Sequence, residues 1–154
     1  MRLHLIICIS IAVTTVTCSS SKNVADGSSI DAQEARTFSD ALVDDIIHDR
    51  RENISAKVDA SFQKAGPQYL NSSVDNMINQ YGRPLECSYK MNEVGYRTDS
   101  EGKRPMRKFW YSAQTTKYPS GYYLFVEVVP GNNGLRTTGF ALVTFPNGAP
   151  SNLQ

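Results

Sequence analysis

The fold is decided by eight residues, Tyr122-Tyr123-Leu124-Phe125-Val126-Glu127-Val128-Val129. Aromatic and β-branched residues dominate this stretch, which favours an extended strand. Side chains of a strand alternate between the two faces of a sheet, and both alternating sets here are largely apolar. The nearby Phe109-Trp110-Tyr111 adds aromatic residues of both parities. The sequence therefore predicts a sheet in which both faces need cover.

Three more stretches share this period of two. With residues 122–129, they give candidate strands at 85–96, 106–116 and 135–145. The connections are short and rich in turn formers, namely Asp99-Ser100-Glu101-Gly102, Tyr118-Pro119-Ser120-Gly121 and Pro130-Gly131-Asn132-Asn133-Gly134. Parallel neighbours would need crossovers of about a dozen residues. We therefore predict four antiparallel strands joined by hairpins.

The N-terminal half shows the period of a helix. Asp31 can cap a first helix, and Glu34 three residues later completes a capping-box pattern. One apolar stripe follows, formed by Ala35, Phe38, Leu42, Ile46 and Ile47. These residues predict an amphipathic helix that packs on the sheet.

Two more helices are predicted before the first strand. The second carries its apolar residues at Ile54, Val58, Phe62 and Ala65. Gly66-Pro67 is expected to stop it, because proline has no N–H to continue the hydrogen bonding. The third is short, with Ser72 or Ser73 as its cap and Gly82 at its C-terminal end.

The predicted fold class is α+β, with three N-terminal helices packed on a curved four-stranded antiparallel sheet. A chain of 154 residues and 17.1 kDa suits one domain. We place that domain at residues 31–146, with a C-terminal tail at 147–154. Residues 19–30 are mostly small and polar, which is typical of a flexible tether.

Residues 1–18 are typical of an export signal. Arg2 and His4 precede an apolar run at residues 5–16, and small residues follow it. The run is shorter than the roughly 20 apolar residues that cross a bilayer. We expect export to the periplasm or cell envelope, and a retained N-terminal anchor helix is the alternative.

Cys18 is a lipidation candidate. It follows the apolar run and precedes Ser19-Ser20-Ser21, an arrangement that resembles the lipobox of bacterial lipoproteins. Thr17 stands where that motif usually has Gly or Ala, and Thr15 where it favours Leu. Ordinary signal cleavage is the alternative, and the protein would then be secreted rather than anchored by acyl chains.

Charge excludes a strongly basic nucleic-acid binder. Without Arg2, which leaves with the export signal, 15 basic residues face 15 acidic ones. A neutral chain has no long-range attraction for nucleic acid or anionic lipid. We expect no nucleic-acid partner, and membrane contact only through the signal or a lipid. The basic run at residues 103–108 is predicted to be a solvated sheet edge protected by its charges and Pro105.

No cofactor or metal ion is expected. The sequence has no Gly-rich phosphate loop, no His-Glu-x-x-His, no Gly-x-Ser-x-Gly and no Cys-x-x-Cys. Cys87 lies in a predicted strand, where we expect a buried, inert thiol. It can pair with Cys18 in a disulfide only if Cys18 carries no lipid.

The chain resembles the nuclear transport factor two-like superfamily. The resemblance lies in the order of helices and sheet, in Ala35-x-x-Phe38-x-x-x-Leu42 and in Tyr81-Gly82-Arg83-Pro84 before the first strand. The export signal and Gly121-Tyr122-Tyr123 look like those of small uncharacterised exported bacterial domains. Over about residues 31–145, the resemblance implies a cone-like sheet with a pocket facing the long helix. The superfamily contains isomerases, dehydratases, transport adaptors and non-catalytic domains, so fold does not settle function.

The two apolar sheet faces predict binding rather than catalysis. We expect a non-catalytic binding domain that uses an apolar sheet face or pocket for a small apolar ligand, a protein partner or a homodimer. The candidate contact residues are Phe109, Tyr111, Tyr122, Leu124 and Val126. A structural accessory protein of the envelope is a further hypothesis.

The enzyme alternative is a cofactor-free isomerase or hydrolase with a pocket carboxylate. Tyr111, Tyr122 or Tyr123 would then donate hydrogen bonds to the substrate. His48, the one histidine after the export signal, has Asp44, Asp45 and Asp49 nearby. We expect these acids to lie in solvent at a helix end, where a protonated His48 favours the helix dipole.

Replacing Cys18 by serine tests the lipid anchor. If Cys18 carries acyl chains, Cys18→Ser moves the protein from the membrane fraction to the soluble fraction, because the chains supply the membrane affinity. The measurement is immunoblotting of fractionated cells. An unchanged membrane fraction would contradict the lipoprotein hypothesis.

Overall fold

The computed structural model of the chain describes residues 30–63, 66–100, 102–145, 148–151 and 153, without the side chains of residues 61 and 62. The predicted export signal, Cys18 and the tether up to residue 29 lie outside these ranges. Within them, helices come first and a four-stranded antiparallel sheet follows. The predicted α+β class is confirmed.

The first helix, α1 (Ala32–Ile47), forms as its sequence predicts. The Asp31 carboxylate accepts a hydrogen bond from the Glu34 N–H at 2.7 Å, which caps the first turn. Its apolar stripe is buried, with Leu42 and Ile46 at most 1% exposed. The stripe packs on the sheet and so attaches α1 to it.

The predicted second helix is wrong as one element, because the chain divides into α2 (Arg51–Lys57) and α3 (Ala60–Gln63). Val58 between them is extended and makes a parallel bridge to Thr137. The Asp59 N–H then donates to the Thr137 carbonyl at 2.8 Å. Pairing with a sheet edge has replaced the helical hydrogen bonds, a tertiary effect that helical periodicity does not report.

The last helix, α4 (Pro67–Tyr81), is longer than predicted. Pro67 begins it instead of stopping the preceding one, because the first helical position needs no N–H partner. Ser73, one of the two predicted caps, lies inside the helix, and its hydroxyl donates to the Tyr69 carbonyl at 2.8 Å. Gly82 ends α4 as predicted. Its φ of 82° suits glycine, and a Cβ there would come within 2.7 Å of the Lys117 nitrogen.

The sheet consists of β1 (Pro84–Asp99), β2 (Gly102–Thr115), β3 (Tyr122–Gly131) and β4 (Gly134–Thr144). The strands lie in the order β1-β2-β3-β4 and every neighbouring pair is antiparallel. The predicted meander is confirmed. β1 and β2 extend further than predicted, since their hairpin continues to Asp99 and Gly102.

The helices cover one face of the sheet, which we call the inner face. Phe109, Leu124, Val126 and Leu142 on this face are at most 2% exposed and belong to one core with the helix residues. Burying each such side chain contributes about 1.5–3 kcal/mol. Ile30 also joins the core, and Leu153 in the predicted C-terminal tail is buried as well.

Asp45 is buried at the turn between α1 and α2, contrary to the prediction that it lies in solvent. Its side chain is 4% exposed. Arg50 Nε donates to it at 2.7 Å, Asn53 Nδ2 at 3.1 Å, and Lys57 also donates. Burial opposes ionisation, but these hydrogen bonds outweigh it and hold the pKa of Asp45 below its ordinary value.

Asp45→Asn should lower the free energy of unfolding by about 2 kcal/mol at neutral pH, because it leaves buried donors facing a neutral amide. A carboxyl whose pKa is lowered by folding stabilises the fold above its unfolded pKa. This contribution is lost as pH falls through the lower folded pKa, so the difference between the two proteins should shrink below about pH 4. Urea denaturation at several pH values measures it.

Asp44→Asn is the matched control. Asp44 is the adjacent acid and pairs with Arg50, but its side chain is 54% exposed. We expect this control to lose less than about 1 kcal/mol. Equal losses in the two variants would contradict a special role for Asp45.

Candidate functional site on the outer face of the sheet

The structure places the predicted contact residues on the inner face. Phe109, Tyr111, Leu124 and Val126 are at most 2% exposed and pack in the core beneath the helices. These four side chains present no open surface to a ligand. These side chains alternate along β2 and β3 as predicted. They form the core with the apolar residues of α1.

Tyr122 occupies the rim of the inner face. Its ring stacks on Tyr118 with centroids 4.7 Å apart and is tilted against Tyr81 of α4 at 5.5 Å. Burial raises the pKa of Tyr122, and its tyrosine neighbours raise it further. This ring cluster covers the end of the core where α4 meets β3.

A second set of aromatic side chains lies on the opposite face, which we call the outer face. Phe125 and Trp110 are cross-strand partners, as are Tyr123 and Ser112. We define the outer aromatic cluster as Trp110, Tyr123, Phe125 and Phe145. All four side chains lie outside the core that the helices share, and each is only partly buried.

The rings of this cluster contact one another at tilted or edge-to-face angles. Trp110 lies 5.5 Å from Phe125 and 5.9 Å from Phe145, with interplanar angles of 57° and 49°. Tyr123 meets Phe145 at 5.4 Å and 68°. Such tilted pairs are the favourable arrangement for aromatic quadrupoles. The result is a continuous aromatic surface across β2, β3 and the end of β4.

Trp110 carries a polar group that its described neighbours leave unsatisfied. Its Nε1 is buried and has no hydrogen-bond partner among the residues that the structure describes. A buried N–H without an acceptor costs about 1–3 kcal/mol. Within the outer aromatic cluster, this atom is a buried donor that no described residue satisfies.

Charged side chains border the cluster at one end. The Lys108 ammonium lies 4.9 Å from the centre of the Phe125 ring and 5.7 Å from that of Trp110. Its charge is balanced by Glu127 at 2.9 Å, and Arg97 also reaches Glu127 at 2.9 Å. The cation and the ring faces attract each other. The outer face therefore combines an aromatic surface with an end at which cations and anions are paired.

An ion-pair network extends from this end to the helices. Arg104, opposite Arg97 in the β1–β2 ladder, donates to Asp59 at 2.9 Å and to Asp99 at 2.6 Å. It also approaches the Pro130 carbonyl at 3.4 Å. Burial opposes its charge, yet the hydrogen bonds to both aspartates raise the pKa of Arg104 above its ordinary value. The network ties the β1–β2 hairpin to the α2–α3 connection.

These contacts correct the prediction that residues 103–108 form a solvated sheet edge. β2 lies between β1 and β3, and Arg104, Arg107 and Lys108 are partly buried. Arg107 Nε donates to the Ile30 carbonyl at 3.1 Å. Pro105 is tolerated because the described pairing of β2 with β3 begins at Arg107, so Pro105 faces only β1.

Asp40 and Tyr111 form a carboxylate–tyrosine pair of the kind that the enzyme alternative requires. The Tyr111 hydroxyl lies 2.8 Å from Ser39 Oγ and 2.8 Å from Asp40 Oδ1, so it donates to the carboxylate and accepts from the serine. Asp40 is also held by Arg36, whose guanidinium lies over the Tyr89 ring at 3.5 Å. Burial and then Asp40 raise the pKa of Tyr111, which makes it a poorer acid. This arrangement attaches α1 to β1 and β2.

The remaining candidate reactive side chains are Cys87 and His48. Burial, and then Glu86, raises the pKa of the Cys87 thiol to about 12, so this side chain stays protonated at neutral pH. Cys87 has no disulfide partner among the described residues. His48 caps the C-terminal end of α1, where its Nδ1 lies 2.9 Å from the Asp44 carbonyl oxygen, and it is exposed.

The described part of the chain has a small cleft and no cluster of metal ligands. A cleft of about 70 Å³ is lined by Ser55, Val58, Gln63, Gly66, Pro67 and Leu70, whereas small-molecule sites usually measure about 300–1,000 Å³. Residues 30–63, 66–100 and 102–145 hold no group of three or more His, Cys, Asp or Glu side chains arranged for a metal ion. None of the described helices combines the length and apolarity needed to cross a bilayer.

Comparisons of the chain with protein-family models, with curated proteins and with solved structures gave no match. The resemblance to the nuclear transport factor two-like superfamily therefore stays a prediction.

Trp110, Phe125 and Phe145 are not among the predicted contact residues, and Tyr123 is predicted only as a hydrogen-bond donor in the enzyme alternative. The signal was present, since the two parities of β2 and β3 are both aromatic. Alternation separates the two sets but does not say which set meets the helices, so the prediction of Phe109 and Tyr111 as contact residues names the set that the helices bury. The even set, which includes Trp110, proves to lie on the outer face.

Arg104→Met tests the network beside the cluster. It removes the cation between Asp59 and Asp99, so we expect the free energy of unfolding to fall by about 3 kcal/mol. Lys103→Met is the matched control, because the neighbouring Lys103 is exposed and its ammonium lies over the Tyr96 ring at 4.4 Å. Its loss should stay below about 1 kcal/mol. Thermal and urea unfolding measure both. An Arg104→Met protein as stable as wild type would show that the hairpin is held by other contacts.

Proposed function

We propose that this protein is an exported, non-catalytic binding domain, and that its outer aromatic cluster binds a small apolar ligand. The observation that carries the proposal is a cluster of four aromatic side chains outside the core, partly exposed and bordered by a lysine. Exposed apolar patches with a polar rim are typical of binding surfaces. The two-sided apolarity of the sequence leads to the same proposal.

The polar groups of the outer face specify the ligand further. The Trp110 N–H is buried in the unbound protein, so an acceptor oxygen on a bound molecule would satisfy it only if the side chains that cover it move on binding. The Lys108 ammonium favours an aromatic or anionic group near Phe125. A planar, mainly apolar molecule with an oxygen acceptor or a carboxylate meets both conditions.

Binding is better supported than catalysis. The Tyr111–Asp40 pair is already saturated by Ser39 and Arg36. The raised pKa values of Tyr111 and Cys87 disfavour proton donation by the first and nucleophilic attack by the second at neutral pH. These groups stabilise the contact between α1 and the sheet.

The proposal extends to location and fold family. Lipidation at Cys18, or ordinary cleavage of the export signal, would place the domain in the periplasm or cell envelope. There the outer aromatic cluster would meet envelope ligands or partners. We also propose a curved, cone-like sheet of the nuclear transport factor two-like kind. Register shifts at Tyr89/Met91 and Glu127/Val128 support curvature, since bulges bend strands. The hydrogen bond from Arg104 in the β1–β2 hairpin to Asp59 also supports curvature of the sheet.

The ligand hypothesis is tested by fluorescence. Trp110 is the one tryptophan of the sequence, so its emission reports on the outer face. We expect the anionic apolar dye 1-anilinonaphthalene-8-sulfonate to quench it on binding. Phe125→Ser should weaken this binding at least about tenfold, because it removes a ring that contacts both Trp110 and the Lys108 ammonium.

Tyr118→Ser is the matched control, since Tyr118 is a partly exposed ring in the separate Tyr81–Tyr122 cluster. Its dye affinity should equal that of wild type. Native mass spectrometry of the mature protein should then reveal a copurifying small molecule that Phe125→Ser loses. Equal dye affinity in Phe125→Ser and wild type would overturn the proposal, and so would the absence of both dye binding and a copurifying molecule.

A further inference from the structure

Lys108 brings an ammonium group to the rings of the outer aromatic cluster. Its Nζ lies 4.9 Å from the centre of the Phe125 ring and 5.7 Å from that of Trp110. Lys108 pairs with Glu127 across β2 and β3, and Trp110 pairs with Phe125 two residues away on each strand. Side chains two residues apart on a strand share a face, so these four lie together on the outer face. An anionic group on a molecule that stacks on Phe125 would therefore lie close to Lys108.

Lys108 already has an anionic partner. The Glu127 Oε1 atom lies 2.9 Å from Lys108 Nζ, and the side chains of Lys108 and Glu127 are 19% and 13% exposed. Charges that are partly withdrawn from water are screened less than exposed charges. A bound anion would compete with Glu127 for the lysine, and the two negative charges would repel each other. The Glu127 carboxylate is therefore expected to oppose the binding of an anion.

Glu127 also has a second cationic partner. Arg97 Nη1 donates a hydrogen bond to Glu127 Oε2 at 2.9 Å. Arginine presents several donors in a fixed planar fork, whereas lysine carries one compact charge at the end of a flexible chain. If Lys108 turned toward a ligand, Arg97 would still balance the charge of Glu127. The contact that a ligand can exchange is thus the one between Lys108 and Glu127.

The partners of this row on β4 are small residues. Gly139 pairs with Glu127, and Ala141 pairs with Phe125. A Cβ at Gly139 would lie 3.6 Å from Glu127 Oε2, which is an ordinary contact distance. The Glu127 carboxylate therefore borders the β4 side of the outer face, where a molecule lying against Phe125 would meet it.

We propose that Glu127 is a specificity-determining residue of the outer aromatic cluster, an internal anion that competes with anionic ligands for Lys108. The inference rests on the proposed function and adds the charge of the ligand to it. An uncharged aromatic molecule meets the rings while the Lys108–Glu127 pair stays intact. An aromatic carboxylate or sulfonate has to take Lys108 from Glu127. Of the two polar groups that the proposed ligand can carry, the uncharged acceptor is thus favoured over the carboxylate.

Two dyes with the same rings test this inference. 1-Anilinonaphthalene-8-sulfonate is anionic, and N-phenyl-1-naphthylamine has the same ring system without the sulfonate. The measurement is the ratio of their dissociation constants, obtained from titrations followed by dye emission. Glu127→Gln should shift this ratio toward the anionic dye at least about tenfold, because it removes the competing charge and releases Lys108.

Glu93→Gln is the matched control for the loss of one negative charge. Glu93 is the partner of Lys108 on β1, but its side chain is exposed. Because water and salt screen an exposed charge, the ratio should change less than about twofold.

A double variant shows whether Lys108 is what the two anions compete for. Lys108→Met alone should shift the ratio away from the anionic dye at least about threefold, because it removes the attracting charge. In this background, Glu127→Gln should gain at most about a third of what it gains in wild type, since no lysine is left to be released.

Three results would overturn the inference. They are a ratio for Glu127→Gln within about twofold of wild type, an equal shift in Glu93→Gln, and an undiminished gain in the Lys108→Met background. The proposed function survives each of them if the uncharged dye binds wild type and Phe125→Ser weakens that binding. If neither dye binds wild type, the proposed function fails and this inference fails with it.

Discussion

Alternation along β2 and β3 is the constraint on which the other features depend. Each residue that faces the helices has a neighbour that faces away, and both sets contain aromatic side chains. The inner set buries α1 and α4 and supplies the core. The aromatic side chains of the outer set lie outside the core that the helices share. The same two strands therefore stabilise the fold and create its aromatic surface.

The charges follow from this two-sided sheet. Lys108 and Glu127 are outer-face residues opposite each other, and they complete the row that Trp110 and Phe125 begin. Arg97, Asp99, Arg104 and Asp59 then link the outer face to the α2–α3 connection. Desolvating this many charges stabilises little by itself, but it specifies the position of the hairpin, since each ion needs its partner. The network therefore fixes geometry more than it adds stability.

Local patterns predicted most of the elements. The Asp31 cap, the stripe of α1, Gly82 and the four strands are encoded by near neighbours, and the structure confirms them. The errors occur where distant residues decide. Val58 leaves the helix because Thr137 offers an edge, and Asp45 is buried because three donors surround it. For the same reason, alternation alone could not assign Trp110 and Phe125 to the outer face, because the position of α1 depends on tertiary packing.

The order of elements along the chain governs how the molecule acquires its structure. Among the residues that the structure describes, the helices precede the strands, and the apolar residues of α1, α2 and α4 share one core with the sheet. Helices of this length are marginal in water when they have nothing to pack on. A chain synthesised from its N-terminus therefore lacks a stable core until β3 has emerged. Val58 and Asp59 become fixed later still, because their partner Thr137 lies in the last strand. The last strands of the sheet therefore fix the positions of helices that precede them in the chain.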